Sequence, residues 1–517
     1  MNAILILFGG HLSDEAFEPV FNGKNSVTLC MEQAKKFPAV RKTVLLASLG
    51  DFSFLNEVQI ERKDSWSKRS LLEKIAELQT GFDCIYFAFA DCPFLDPDLA
   101  GKIAERHLRQ KAEYSYADGW PYGLAPETLS PGTAGILAKI LGDNDGPVER
   151  DILFSVIQKD INSFDIEAEI STVDLRCHRL NLRADSKRNL MLLRNFIDAS
   201  GGNIPAAPDI ERIITEKPEI LRTLPAFYPI QVFGGCPQLC AFCPYPKVTD
   251  AAGRKDFMDT GRFETLLDKI IDFSRDAVID LSLWGELSLH PDKIKLIEAV
   301  ISRSSLALII ETSGIGWKAE ELERCAELSQ NAGARKHELP PLSWIVSLDT
   351  ADQARYTQIR GQGFTEANEC VKKLFSLFPK DCYAQAVRIK DAEEDTEKFY
   401  RYWKETAPLK EANIIIQKYD CFCSFLEKKQ ASDISPVIRQ PCWHIMRDMP
   451  VLIDGTVPLC REDMAVFKKT DERILGNVFT DSLESVWRKG DSFYREQCEK
   501  NYTGICVNCD EYYTYNF

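Results

Sequence analysis

Three cysteines, Cys236, Cys240 and Cys243, stand at close intervals in the stretch GGCPQLCAFCPYP, which runs from Gly234 to Pro246. Three thiolates at this spacing can wrap one four-iron cubane, each holding one iron and leaving the fourth open to a small molecule. A cluster ligated at all four corners mainly transfers electrons or supports structure. Gly234 and Gly235 let the backbone approach such a core closely. A structural zinc ion would want a fourth ligand, and no His or Cys follows within a dozen residues. The surrounding prolines and glycines mark the stretch as loop, which speaks against three core cysteines meeting by chance. A second group lies near the end of the chain: Cys442, Cys460, Cys498, Cys506 and Cys509. Gly455 fits a hairpin turn that brings two of these thiols together.

The elements around these residues must place them. From about 225 to 420, six apolar runs alternate with helical patterns: YPIQVFG, AVIDLSLWG, LALIIETSG, SWIVSLD, YAQAVRI and NIIIQKY. Six strands with crossover helices suggest an incomplete (β/α)6 barrel, whose chemistry belongs in loops at the C-terminal strand ends. The three-cysteine loop follows the first strand. Residues 1–200 show the same alternation, with buried strands at Ala3–Phe8, Lys42–Ser48 and Cys84–Asp91, and read as an α/β domain. Residues 201–224 are rich in Pro and Gly and read as a linker containing a short helix. The barrel is expected over 225–425. A small domain of short strands and a polar helix is expected over 435–517.

Apolar content of 45% and charged content of 27% are ordinary for a globular protein, and 517 residues allow sizeable cores. A net charge of −15 argues against generic nucleic-acid binding. The apolar start is too short for a signal peptide or a membrane span, so the expectation is a cytoplasmic protein with no membrane partner. There the 17 cysteines stay reduced and form no disulfide framework. Cys30, Cys84, Cys325 and Cys370 read as buried core thiols. Cys421 and Cys423 follow the sixth strand and read the same way.

Cys-x3-Cys-x2-Cys after a first barrel strand, with Phe242 before the last cysteine, resembles the signature of radical S-adenosylmethionine (SAM) enzymes. The resemblance implies a [4Fe-4S] cluster on Cys236, Cys240 and Cys243 whose open iron chelates SAM. Reductive cleavage of SAM would give a 5′-deoxyadenosyl radical that abstracts hydrogen from substrate. LSLWGELSLHPD resembles the family's second-strand element, with Gly285 and Glu286 in matching positions and Trp284 where a glycine is usual. Phe242, Gly285, Glu286, Ser347, Arg360 and Arg388 are thereby candidate SAM contacts. The tail resembles a SPASM or twitch-like domain. That implies one auxiliary [4Fe-4S] cluster on Cys442, Cys460, Cys506 and Cys509, with Cys498 as a core thiol or a replacement. Tetrahedral zinc on the same four thiolates fits the spacing as well.

FAFADCPFLDPDLAGKI, from Phe87 to Ile103, resembles cytidylyltransferase-like sugar nucleotidyltransferases. That implies a Rossmann-type fold, with Asp91 and Asp185 as carboxylates for Mg2+ and Lys24 as a phosphate contact. Asp14 and Glu15 stand where the family carries basic residues, so binding or scaffolding is expected rather than transfer. The whole arrangement resembles spiro-SPASM proteins. It implies radical modification of a peptide or protein, fed by a reducing donor such as flavodoxin or ferredoxin. Two alternatives remain: modification of a nucleotide-linked sugar held by the first domain, and a non-catalytic iron–sulfur carrier or scaffold.

Overall fold

The apolar runs of the first 200 residues become strands of one sheet. The structure is a computed structural model. It describes residues 1–517 apart from 49, 56–57, 144, 334, 407–412, 465, 467–472 and 515–517. The chain divides into two units, Met1–Thr223 and Leu224–Phe517.

The first unit contains strands β1 (Ala3–Gly9), β2 (Val40–Ala47), β3 (Gln59–Arg62), β4 (Cys84–Phe89), β5 (Tyr114–Asp118), β6 (Glu127–Leu129) and β7 (Ile166–Ile170), in the order β3-β2-β1-β4-β6-β5-β7. All neighbours are parallel except the two pairs made by β6, a strand the sequence reading lacked. Successive residues of β1 feed opposite faces: Ile4, Ile6 and Phe8 enter one core, and Ala3, Leu5 and Leu7 the other. Burial on both faces is why the run is apolar throughout. Strand order reverses between β1 and β4, the place where doubly wound sheets take ligands, and Asp91 follows β4 there. The 201–224 segment is not a free connection. Its helix, Ala207–Glu216, buries Ile210 and Ile213, and the Ala207 amide donates to Asp96 at 2.7 Å within the first unit.

The second unit opens with six parallel strands in sequential order: β8 (Phe227–Pro229), β9 (Ala277–Asp280), β10 (Leu306–Thr312), β11 (Leu342–Ser347), β12 (Cys382–Arg388) and β13 (Asn413–Lys418). The first is shorter than its apolar run. Beyond Pro229 the backbone leaves the ladder for single bridges, Ile230 to Val451 and Phe233 to Phe257. One residue from each strand meets in a belt on the inner face: Phe227, Val278, Ile309, Ile345, Tyr383 and Ile415. Six strands converge on one cluster only when the sheet curls, so the belt marks a partial barrel. Outward residues such as Ile279, Leu308 and Trp344 pack beneath the helices. Each large side chain fully buried there contributes about 1.5–3 kcal/mol.

The same outer core continues into the tail through Val457, Leu475, Val486 and Trp487, so barrel and tail share one core. The tail carries a hairpin, β14 (Thr456–Pro458) with β15 (Ile474–Asn477), and the helix Leu483–Cys498. Gly455 does not turn that hairpin as expected; with φ of 86° it closes the tight turn that leads into β14, its amide donating to the Leu452 carbonyl at 2.9 Å, and a Cβ there would meet the Phe479 ring at 2.4 Å. All 17 cysteines are free, and Cys30, Cys84, Cys325 and Cys370 are buried. Among the described residues, no helix is long and apolar enough to cross a membrane.

Candidate active site

Two residues beyond each belt residue, side chains return to the inner face. On β9 to β13 those positions are Asp280, Glu311, Ser347, Gln385 and Gln417, and all five line one cavity of about 250 Å³. Ser347 donates to Glu311 at 2.9 Å, and Gln385 donates to Glu311 at 2.6 Å. Burial lifts the Asp280 carboxyl to about 6, opposed by its bond from Ser282. The apolar belt thus floors a polar ring at the C-terminal strand ends.

The three-cysteine loop forms the cavity wall. Its backbone is pinned by bonds from Cys236 N to Ala251 O at 2.9 Å and from Ala241 N to Ile359 O at 2.8 Å. Cys236, Cys240 and Cys243 all face the cavity. Burial pushes the thiols of Cys236 and Cys243 up to about 12; Cys240 is also raised, with Arg360 opposing the rise. These thiols ionise when metal displaces their protons. Tetrahedral zinc at about 2.3 Å from sulfur would draw its ligands to about 3.8 Å from one another. Among the described residues no three thiols lie within 4.8 Å of one another. The donor set therefore fits a multi-iron core better than a single ion.

Five of the six candidate SAM contacts line this cavity: Phe242, Gly285, Glu286, Ser347 and Arg360. Gly285 is there because nothing larger fits, since a Cβ would sit 1.8 Å from the Phe233 carbonyl oxygen. Trp284 adopts φ of 46°, the left-handed conformation a glycine would take without strain, and stacks on Tyr245 with centroids 5.9 Å apart. Glu286 accepts from Thr312 Oγ1 at 2.7 Å, and from Ser313 N and Oγ at 2.8 and 2.7 Å. Both its oxygens are thus engaged in fixing the β10 end. Arg360 is buried, pairs with Asp349 at 2.7 Å, donates to Gln238 at 3.0 Å and lies over the Phe242 ring. Arg388 is not brought in. It is out of phase with the inward Gln385 and Val387, is exposed, and pairs with Glu393 at 2.9 Å. The sequence reading missed Asp280, Glu311 and Gln385. It also missed Arg461 and Glu462, which follow Cys460 in the tail and line the same cavity. A charge at the end of a buried strand was the available signal for the first two; nothing local flagged the tail pair.

The tail thiols gather behind Arg461 and Glu462. Cys442 caps the helix Trp443–Arg447. The Cys460 and Cys509 sulfurs accept from the amides of Glu462 and Glu511 at 3.5 and 3.4 Å. Cys506 accepts from Arg473 at 3.1 Å and Gln497 at 3.4 Å. Amide and guanidinium donors to sulfur suit cluster thiolates and tune their potential. Cys498 ends the long helix and packs against the core. Asp420, Cys421 and Asp510 also approach within 4.8 Å of one another. Cys421 is buried as expected, whereas Cys423 is only partly buried.

In the first unit, Asp91 is fully buried, and Arg150 donates to both its oxygens at 2.9 and 2.6 Å. Burial alone would lift the Asp91 carboxyl, but Arg150 beside it holds it below the ordinary value. Asp185 accepts from Asn189 at 2.7 Å and Asn181 at 3.1 Å, with Arg183 at 3.6 Å. Lys24 pairs with Glu32 at 2.7 Å near the surface. A pair of carboxylates already matched by two guanidinium groups does not fit Mg2+, which asks for free hard oxygens.

Residues 442–510 match the family model of SPASM, an iron–sulfur cluster-binding domain. The match covers all five tail cysteines, Cys442, Cys460, Cys498, Cys506 and Cys509. The tail of the chain is a SPASM-type iron–sulfur cluster-binding domain. An uncharacterized protein of Treponema pallidum (strain Nichols) is 33% identical over 374 residues, which is 71% of this chain and 98% of that protein. SuiB of Streptococcus suis, solved bound to its precursor peptide SuiA, is 14% identical with a TM-score of 0.40, over 65% of this chain and 78% of that one. A cytidylyltransferase from Leptospira borgpetersenii is 16% identical with a TM-score of 0.36, over 42% of this chain and 95% of that one. Neither likeness carries the argument about this chain.

Proposed function

We propose that the protein is a radical SAM enzyme that modifies a peptide or protein. The observation that carries this reading is the meeting of three loop thiols with a buried arginine and a polar ring in one cavity. Cys236, Cys240 and Cys243 would hold the [4Fe-4S] cluster. When bound, cluster and SAM supply a 5′-deoxyadenosyl radical able to take hydrogen from an unactivated C–H bond. Arg360, oriented by Asp349 and Gln238, offers positive charge toward the SAM carboxylate. Glu286 holds the β10 end, and backbone carbonyls near Gly285 would accept hydrogen bonds from the SAM ammonium group. The belt excludes water from the cavity floor, which protects a reactive species.

The tail would hold one auxiliary [4Fe-4S] cluster on Cys442, Cys460, Cys506 and Cys509. The SPASM match and the sulfur-directed hydrogen bonds support it. Arg461 and Glu462 join that site to the cavity, so substrate would lie between the two clusters. A peptide is favoured over a nucleotide-sugar because Asp91 and Asp185 are already matched within the first unit. We read that unit as nucleotidyltransferase-like in fold and as a binding or scaffolding element.

Oxygen-free protein reconstituted with iron and sulfide, then given SAM and dithionite, should release 5′-deoxyadenosine. Cys240→Ala should abolish release while leaving the auxiliary cluster in place. Release that survives in Cys240→Ala would overturn the assignment.

A further inference from the structure

The thiols assigned to the auxiliary site are not held alike. Cys460 and Cys509 each take a backbone amide, from Glu462 at 3.5 Å and from Glu511 at 3.4 Å. Cys506 takes two side chains instead. Arg473 Nη2 donates to its sulfur at 3.1 Å and Gln497 Nε2 at 3.4 Å. Gln497 is buried, and the Arg473 side chain is only 12% exposed.

The surroundings fix this guanidinium. Its Nη1 faces Asp463 at 3.6 Å, a longer approach than the one to sulfur. A Cβ on Gly504 would come within 3.1 Å of Nη1, so the glycine leaves room for the side chain. The Arg473 carbonyl accepts the Leu459 amide at 2.9 Å, which ties its backbone to the residue before Cys460. Arg473 thereby spans the segments that carry Cys460 and Cys506. Gln497 completes the frame: its oxygen accepts the Cys442 amide at 2.9 Å while its nitrogen serves Cys506. Arg439 donates to the Cys506 carbonyl at 2.7 Å and lies over the Tyr502 ring.

A neutral thiol is a weak acceptor and offers little to a cation drawn out of water. A thiolate offers a full charge, so a guanidinium fixed on sulfur suits Cys506 as a ligating thiolate. A cubane on four thiolates is already an anion, and reduction adds a further negative charge. A fixed cation at one sulfur stabilises the reduced form more than the oxidised one, because Coulomb energies are large at this range inside a protein. We propose that Arg473 tunes the auxiliary cluster, raising its reduction potential through the Cys506 corner. The couple is a one-electron reduction by a low-potential reductant, dithionite in the test below. The electron enters the iron–sulfur core, no Fe–S bond breaks and no proton moves. The inference rests on the iron–sulfur reading of the tail given above.

The test is a dithionite redox titration of the full chain, reconstituted without oxygen and followed by electron paramagnetic resonance (EPR), with iron counted in each sample. Wild type should carry about eight irons per chain, as two cubanes require. Arg473→Gln keeps a donor and loses the charge. It should hold about eight irons, with the auxiliary midpoint moved to lower potential and the barrel midpoint unmoved. Arg473→Lys restores the charge and should reverse most of that shift. Unchanged midpoints in fully loaded Arg473→Gln overturn the proposal. So does an equal shift at both clusters, or a shift that Arg473→Lys fails to reverse. Should Arg473→Gln hold only about four irons, Arg473→Lys decides: about eight irons with a midpoint near that of wild type support the proposal, and any other result overturns it. Wild type with about four irons and one zinc would overturn the iron reading of the tail itself, and metal analysis tells that failure apart from the others.

Discussion

The first unit and the barrel each gather carboxylates at the C-terminal ends of parallel strands, but they treat the charge differently. Asp91 faces Arg150 in a two-pronged pair, and Asp185 lies beside Arg183. In the barrel, Glu311 receives only a hydroxyl and an amide, and Asp280 bonds the Ser282 amide. Among the described residues neither has an ion-pair partner. In the first unit the matched charge serves the fold; in the barrel, Asp280 is buried with a raised pKa and no ion pair, the setting in which functional carboxyls are often found. Topology alone would have nominated both places, and the partners separate them.

Breaking the matched pair should give the largest effect. Asp91→Ala breaks the two-pronged buried pair with Arg150 and should destabilise the first unit by about 3–5 kcal/mol in chemical denaturation. Calorimetry of the wild type with CTP and Mg2+ should show no Asp91-dependent binding; such binding would erase the contrast. Arg360→Ala comes next. Loss of a charge-assisted contact worth about 1.5–3 kcal/mol should weaken SAM binding about 10–100-fold in equilibrium titration, with the cluster still formed. Gly285→Ala should cost about 1–3 kcal/mol by overpacking against Phe233, and should disturb the cavity more than the auxiliary site. The last effect is a pH dependence and concerns Asp280. Its folded pKa of about 6 exceeds the ordinary 3.8, so the folded state holds the proton between those values. Its contribution to stability is therefore full below pH 3.8 and is lost as pH rises through about 6. Asp280→Asn should remove that slope when wild type and variant are unfolded in parallel across this range.

Much of this contrast could be read from residue order. Apolar runs located all six barrel strands, and three close cysteines located the loop. Period-two alternation could also have sorted the strand ends: Gln385 and Val387 share the inner face, and Arg388 falls on the other. Reading Arg388 as a carboxylate contact ignored that phase. Other features needed the fold. Arg461 and Glu462 reach the cavity only because the tail shares the barrel's core. Asp91 looked like a metal ligand because its partner, Arg150, lies 59 residues away in sequence.

The central claim is an iron corner that the polypeptide leaves to SAM. Cys442→Ala/Cys460→Ala, which should keep only the barrel cluster, allows that corner to be watched alone by EPR of reduced, oxygen-free protein. The account predicts that added SAM changes the cluster signal. A signal that SAM leaves unchanged in fully loaded protein would contradict it.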